Sequence, residues 1–377
     1  MKSYAFFFIL GLFIFFSCSS EHQAIETQIH LEKAMGNERI VKLSELASQV
    51  KYIQLETNDS SLLGDISVPF YFNDYFYIID AARSVCKIFD KQGNYIGNLG
   101  NQGRGKGEFI RLGSQSLSYD KETKNIFVYC DRKIIEYSPT GEFINEISIP
   151  DIPGSSFNVY KIFRFNDVYV VSIGNKENND LIYLDKAGNL LGRIPEHYSY
   201  TDKYREEVSA NNTGTGQILY LPSHILLTGN EIRVFNPGND TVFAINASLQ
   251  KKIAYILDMG KYKVPESCTD MAERMKYIQL HVLKTVETPE YLFLTFMFGE
   301  NAPAGITPPL VRGIFSKKTG ELQLLKRPEP DKDGLLNDID EKNTFWPAYY
   351  SNDGYLIMPV ASANEYDNPA LMMVKLS

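Results

Sequence analysis

The feature that most constrains this chain is a unit of short strands that returns at near-constant spacing. Tyr75–Asp80 is an aromatic and β-branched run, followed by Val85–Phe89, the turn Asp90-Lys91-Gln92-Gly93, and Tyr95-Ile96. The unit recurs as Ile126–Tyr129, Ile134–Tyr137, Ser138-Pro139-Thr140-Gly141 and Phe143-Ile144. It recurs again as Val168–Val171, Leu181–Leu184, Asp185-Lys186-Ala187-Gly188 and Leu190-Leu191. Asp, Ser and Pro favour entry into a turn, and Gly accepts the positive φ that closes it. The closing glycines are spaced 48 and 47 residues apart. A period of this size marks propeller blades, small sheets that bury their faces only against one another.

Three looser units follow. Ile232–Phe235 and Thr241–Ile245 are joined to their next strand by Asn246-Ala247-Ser248, which lacks the Gly. Tyr291–Phe296 and Gly313–Phe315 lead into Ser316-Lys317-Lys318-Thr319-Gly320, and Tyr355–Met358 with Leu371–Val374 ends the chain. The expected fold is therefore all-β: a six-bladed β-propeller with mostly four-stranded antiparallel blades. A ring must be closed, and Tyr52-Ile53-Gln54-Leu55 is the expected closing strand. Met271, Met275, Ile278 and Val282 share one helical face, which predicts a short helical insertion near 268–284.

The chain opens with Lys2 and then 12 apolar residues, Ala5–Phe16. That run is too short to span a bilayer and has the length of a secretory h-region. It ends in Phe15-Phe16-Ser17-Cys18, which resembles a bacterial lipobox. Residues 1–17 are thus expected to be a lipoprotein signal peptide and Cys18 the lipidation site. Residues 18–38 would be a flexible tether and 39–377 the propeller. A plain signal peptide with an incidental Cys is the alternative. The expected address is the cell envelope, anchored by lipid to the outer membrane, with the face left open. Cys86 and Cys130 lie in apolar runs and read as buried small hydrophobes; one disulfide among Cys86, Cys130 and Cys268 stays open. With 38 basic and 46 acidic side chains, a net charge of −8 and no long basic run, nucleic acid is excluded as a partner.

Three stretches resemble the six-bladed β-propeller lipoproteins of Bacteroidetes, relatives of NHL-repeat propellers. Val41–Leu46 followed by Tyr52–Thr57 is similar to the family's opening segment, which ends in Leu-Glu-Thr. Gly100–Phe109 resembles the Gly-rich NHL loop, with Lys106 where Pro is usual. Asn337–Asp340 followed by Phe345-Trp346-Pro347 resembles the family's acidic motif, with Glu341-Lys342 in place of two glycines. The resemblance covers residues 40–377 and implies fold and address, but no reaction.

The candidate sites each have a bland alternative. Gly103, Gly105, Gly107 and Glu108 lack the Gly-Lys-Ser/Thr ending of a phosphate loop and predict a tight inter-blade connection in which Glu108 caps backbone amides. Glu329, Asp331, Asp333, Gly334 and Asp340 fall at positions 1, 3, 5, 6 and 12 of an EF-hand-like loop. They are the candidate calcium site, with a solvated acidic loop as the alternative; no other cofactor is expected. Asn337, Asp338, Asp340 and Trp346 form the candidate ligand site. Trp346 would be a platform for a sugar or peptide, or a hydrophobic plug between the last two blades. The five histidines (22, 30, 197, 224 and 281) show neither metal-ligand spacing nor a nucleophile–base pair, so no catalytic residue is named. The expected function is a binding module for a glycan, peptide or envelope protein, touching the membrane only through its lipid. A glycan hydrolase or lyase with its groups gathered in the funnel is the alternative, and a scaffold subunit a third.

Overall fold

The computed structural model describes residues 27–377 except 65, 67, 114–115, 131, 151–154, 166, 176–178, 197–223, 236–239, 247, 264, 266–275, 278, 281–284, 299–309, 331, 363 and 365. Six antiparallel sheets follow one another, and the sequence repeat is the blade. Blade 1 comprises Phe70–Phe72, Tyr75–Asp80, Val85–Asp90 and Tyr95–Asn98. Blade 2 comprises Leu117–Tyr119, Ile126–Cys130, Lys133–Tyr137 and Phe143–Ser148. Blade 3 comprises Ser155–Phe165, Val168–Asn175, Asn179–Leu184 and Leu190–Glu196. Blade 4 is built from His224–Thr228, Glu231–Phe235, Thr241–Ile245 and Lys251–Asp258. Blade 5 has its first strand in two pieces, Gln279–Leu280 and Val286–Glu287, before Tyr291–Met297, Leu310–Ser316 and Glu321–Leu324. Blade 6 has Tyr349–Tyr350, Tyr355–Val360 and Ala370–Leu376, and takes its outer strand, Ala47–Gln54, from the other end of the chain. Strands are labelled a to d from the channel outwards.

The b strands read as unbroken apolar runs because both their faces are covered. In blade 1, Phe76 and Ile78 pack against Ile357, Leu371 and Met373 of blade 6. Tyr77 and Ile79 pack on the other side, against Leu117, Ile126 and Val128 of blade 2. This is the two-residue alternation of a strand read out as two separate inter-blade cores.

The turn glycines recur for two reasons. Gly93, Gly141 and Gly188 adopt φ of 93°, 92° and 87°. A Cβ would also lie 2.1 Å from the Gln54 carbonyl oxygen at Gly93, 2.4 Å from that of Asn98 at Gly141, and 2.7 Å from that of Ser148 at Gly188. Those carbonyls end the outer strand of the preceding blade, so each c–d turn is seated on its neighbour. In blade 4 the same turn hydrogen bonds form, from Leu249 N to Asn246 O and from Asn246 N to Gln250 O, and Leu249 itself takes φ 62°. Gly320, in blade 5, has φ 72° with open space around it. Gly320→Ala should therefore cost about 1–2 kcal/mol for the left-handed backbone alone. Gly141→Ala should cost clearly more, because the Asn98 carbonyl must move as well. Urea midpoints of the two variants measure the difference.

The closing strand is where the sequence places it: Tyr52 lies opposite Met372 and Ile53 opposite Leu371. The expected boundary of the tether is corrected. Thr27–His30 is a fifth, parallel strand on blade 4, with Ile29 opposite Leu257. Leu31–Ala34 makes one helical turn, and Arg39 and Lys42 bridge to Leu325 and Leu336 at the exit of blade 5. Burial of Ile29, Leu31, Val41 and Leu43 fixes this segment, each being 3% exposed or less. A single N-terminal strap thus runs over blades 4, 5 and 6. Residues 18–26 of the expected tether, with the signal peptide, lie outside the described residues.

The predicted helix near 268–284 falls mostly outside the described residues as well. Its described part differs from a helix: Gln279 and Leu280 pair with Met297 and Phe296, occupying the open inner edge of the next strand. Cys86 and Cys130 are buried in the core between blades 1 and 2, and neither is in a disulfide; Cys268 lies outside the described residues. Burial pushes the Cys86 thiol pKa up. Neither thiol should react with an aromatic disulfide reagent in the native protein, and both should react in denaturant.

Candidate ligand site at the channel mouth

In an antiparallel four-stranded blade the a–b and c–d turns emerge at the same end. Ion pairs from one turn to the other mark that end: Asp74–Lys91 in blade 1 at 3.0 Å and Asp167–Lys186 in blade 3 at 2.6 Å. Here the a–b turns surround the mouth of the channel. A cavity of about 390 Å³ lies among those of blades 1, 2 and 6, lined by Phe72, Asn73, Lys121, Lys124, Asn352 and Asp353.

Each wall is set by local turn chemistry. Asn73 and Asp74 have φ of 51° and 66°, as a two-residue hairpin of type I′ requires, and their short polar side chains tolerate that conformation. In blade 2, the Asp120 carboxylate accepts the N–H of Glu122 at 2.8 Å and of Thr123 at 3.2 Å, while Lys124 takes φ 66°. Asp120 is held in turn by buried Arg164, whose Nε lies 3.4 Å away and whose guanidinium sits 4.6 Å from the Tyr169 ring centroid. In blade 6, Ser351 Oγ accepts the Tyr355 N–H at 3.0 Å and Gly354 supplies φ 83°.

Phe72 is the aromatic ring that lines the cavity, and rings from three blades pack together with it. Phe72 stacks on Tyr119 at 3.9 Å, and Phe70 touches both Tyr119 and Tyr349 at 5.5 Å. The Tyr119 hydroxyl donates to Asn352 Oδ1 at 2.7 Å, so the Asn352 amide nitrogen stays available as a donor. Lys121 Nζ reaches towards the Gly229 carbonyl of blade 4 at 3.3 Å, and Lys124 Nζ lies 6.0 Å from the Phe72 ring centroid. Among the described residues no carboxylate pairs with either lysine. Asp353 likewise has no ion-pair partner among them; burial and the nearby Asp74 charge raise its carboxyl pKa above the ordinary range. Burial, with Tyr119 and Asp353 beside it, pushes the Tyr349 phenol up as well.

The residues singled out from the sequence lie elsewhere. Cys18 is outside the described residues. Glu108 accepts the Gly105 N–H at 2.7 Å, and a Cβ at Gly103 would sit 2.0 Å from its carboxylate. Gly107 gives its carbonyl to the Tyr137 hydroxyl at 2.7 Å and its N–H to Glu146 at 2.9 Å, which ties the loop to blade 2. Asn337 is buried; it donates to Asp340 Oδ1 at 2.6 Å and accepts the Ile339 and Asp340 N–H groups. Asp338 accepts from the backbone N–H and hydroxyl of Ser44, at 3.0 and 2.6 Å, and so fastens the strap. Trp346, 7% exposed, meets Phe293 edge-on at 5.6 Å and the Arg312 guanidinium at 5.1 Å. It is the plug between blades 5 and 6, and the platform reading is corrected because no ring face is left open to a ligand. In the candidate calcium loop, Glu329 pairs with Lys332 at 2.8 Å and Asp333 with Arg312 at 2.7 Å, while Asp340 is held by Asn337; Asp331 lies outside the described residues. The three described carboxylates are turned to separate partners. Among the described residues no group of three or more His, Cys, Asp or Glu is placed to hold a metal.

Fold and mouth together define a six-bladed β-propeller with a polar cavity at one end of its channel. The chain belongs to the family designated Domain of unknown function (DUF4934), which matches residues 26–375 and so begins where the strap begins. A putative exported protein from Bacteroides fragilis has a similar structure, with 18% identity and a TM-score of 0.61 over 93% of this chain and 98% of its own. A member of the duf4221 family from Bacteroides vulgatus is 11% identical with a TM-score of 0.50, over 90% and 99% of the two chains. Virginiamycin B lyase from Staphylococcus aureus gives a TM-score of 0.43 at 11% identity, over 87% and 99%, a likeness too low to carry any chemistry across. No curated protein matches the chain.

Proposed function

We propose that this protein is an exported, lipid-anchored binding module that takes its ligand in the cavity at the channel mouth. One observation carries the reading: Lys121, Lys124 and Asp353 converge on one cavity from two blades without pairing with one another. A cavity of a few hundred Å³ with convergent polar groups and apolar lining is the usual form of a small-molecule site. The leader and Ser17-Cys18 support the anchor, with residues 18–26 left as the link between lipid and strap.

Two experiments test the two halves. Labelled palmitate should enter the wild-type chain and not Cys18→Ala; equal labelling would remove the anchor from the reading. Envelope glycans and peptides should be screened by thermal shift against the wild type and against a Lys121→Gln/Lys124→Asn double variant. A ligand that stabilises only the wild type supports the site. A ligand that stabilises both equally puts the site elsewhere.

A further inference from the structure

We infer that the channel mouth takes a small saccharide carrying a carboxylate, a uronic acid or a short oligomer of uronic acids. The inference rests on the cavity being the binding site and adds the class of ligand. The cavity, about 390 Å³, falls at the small end of ordinary ligand sites, room for one or two sugar rings. Its charge is divided between two walls. Blade 2 contributes two ammonium groups, Lys121 and Lys124, and blade 6 a single carboxylate, Asp353. The neighbouring Asp74 is engaged by Lys91. The mouth is thus locally cationic on a chain whose net charge is −8.

A carboxylate set against the two lysines gains charge-assisted hydrogen bonds, the strong kind. The remaining groups are one acceptor, Asp353, and two amides, Asn73 and Asn352, of which the second already gives its oxygen to Tyr119. Hydroxyls both donate and accept, so vicinal hydroxyls can serve the carboxylate and the amides at once. Other ligands fit less completely. A neutral sugar covers the lysines without a counter-charge, which costs free energy. An amino acid or peptide end matches the lysines and Asp353 but leaves both amides unpaired. A deprotonated inorganic anion pairs with the lysines but brings no hydroxyl to donate to Asp353. The Asp120, Ser351 and Asn73-Asp74 turns hold the groups in place before binding, so little ordering is needed.

The test is titration calorimetry on the mature full-length chain with three probes: digalacturonate, its neutral counterpart digalactose, and glycylglycine. Digalacturonate should bind, digalactose about tenfold or more weakly, and glycylglycine more weakly still. Raising the salt should weaken digalacturonate binding. Lys124→Asn keeps a residue that tolerates the left-handed backbone and should lose about tenfold. Asp353→Asn should lose less, because an amide oxygen still accepts from a hydroxyl. Unchanged thermal melts exclude misfolding of the variants. Equal binding of digalactose would overturn the acidic class while leaving the cavity reading intact. Preference for glycylglycine would overturn the saccharide. Digalacturonate binding indifferent to Lys121→Gln and Lys124→Asn would overturn both the class and the site. Binding of none of the three would overturn the class alone, and the glycan and peptide screen then judges the site.

Discussion

Replacing Asn368 with Ala should lower the unfolding free energy by about 3 kcal/mol or more. Asn368 is 1% exposed. Its amide nitrogen donates to the carbonyls of Glu56 at 2.6 Å and Ser61 at 3.0 Å, and its oxygen accepts the Leu63 N–H at 2.8 Å. Its own backbone N–H goes to Thr57 Oγ1 at 2.9 Å. One side chain therefore satisfies three backbone groups of the loop that follows the closing strand, from a loop between two strands of blade 6. Glu56 completes the joint: its N–H donates to Gly93 O at 2.8 Å and its carboxylate accepts the Tyr95 N–H at 2.7 Å, both in blade 1. Truncation at 368 leaves buried groups unpaired, each costing about 1–3 kcal/mol. Asn368→Asp should not rescue, because it sets an anionic oxygen against two carbonyls. The single Trp, buried between blades 5 and 6, supplies the fluorescence signal for urea unfolding. A loss under about 1 kcal/mol would mean that water reaches the loop and that the joint is not closed there.

The second large effect is expected at Glu287, where blades 4 and 5 meet. Its side chain is fully buried, 2.7 Å from Lys317 Nζ and 3.3 Å from Arg233 Nε, and it accepts from the Tyr255 hydroxyl at 2.9 Å. Arg233 also pairs with Glu231 at 2.6 Å, and Lys252 pairs with Glu231 at 2.6 Å. Burial lowers the Arg233 pKa, but Glu287 and Glu231 outweigh this and hold the guanidinium in its charged form. Glu287→Ala leaves Lys317 without its anion beside Arg233, which keeps Glu231, at a cost of about 3–5 kcal/mol. Glu287→Leu combined with Lys317→Met should recover much of that loss, since replacing both partners by apolar groups removes the uncompensated charge. An exposed pair such as Glu329–Lys332 should be worth about 0–1 kcal/mol in the same assay. Equal effects at the two pairs would show that water enters the joint between blades 4 and 5.

The blades were legible where sequence and turn chemistry agree. Blades 1 to 3 repeat the same four-residue turn ending in Gly, and those glycines are required both by φ and by the carbonyl of the blade before. Blade 4 is harder to read because Leu249 adopts the glycine conformation in its turn. The strap was missed because Ile29, Leu31, Val41 and Leu43 are scattered among polar residues at no strand or helix period, and their partners lie more than 200 residues away, as Ile29 does from Leu257. The cavity was missed for a similar reason. Its six residues come from three turns between 72 and 353, and none belongs to a chemical motif. The motifs that did stand out, Leu55-Glu56-Thr57, Gly103 to Glu108, and Asn337 to Asp340 with Trp346, prove to be fasteners. What a reader of sequence finds most distinctive here is the joinery of the ring, while the mouth is built from ordinary turn residues.

The strap also sets a timetable. Residues 27–54 are made well before their partners at 251–258, 324–336 and 370–376. Contacts this distant in sequence raise contact order and slow folding, since the intervening loop must close before they form. For most of synthesis the nascent chain carries Ile29, Leu31, Val41 and Leu43 uncovered, an aggregation hazard for whatever escorts it. A chain cut short before Ala370 has no strand for Ala47–Gln54 to pair with, so the ring shuts only once Ala370–Leu376 has been made.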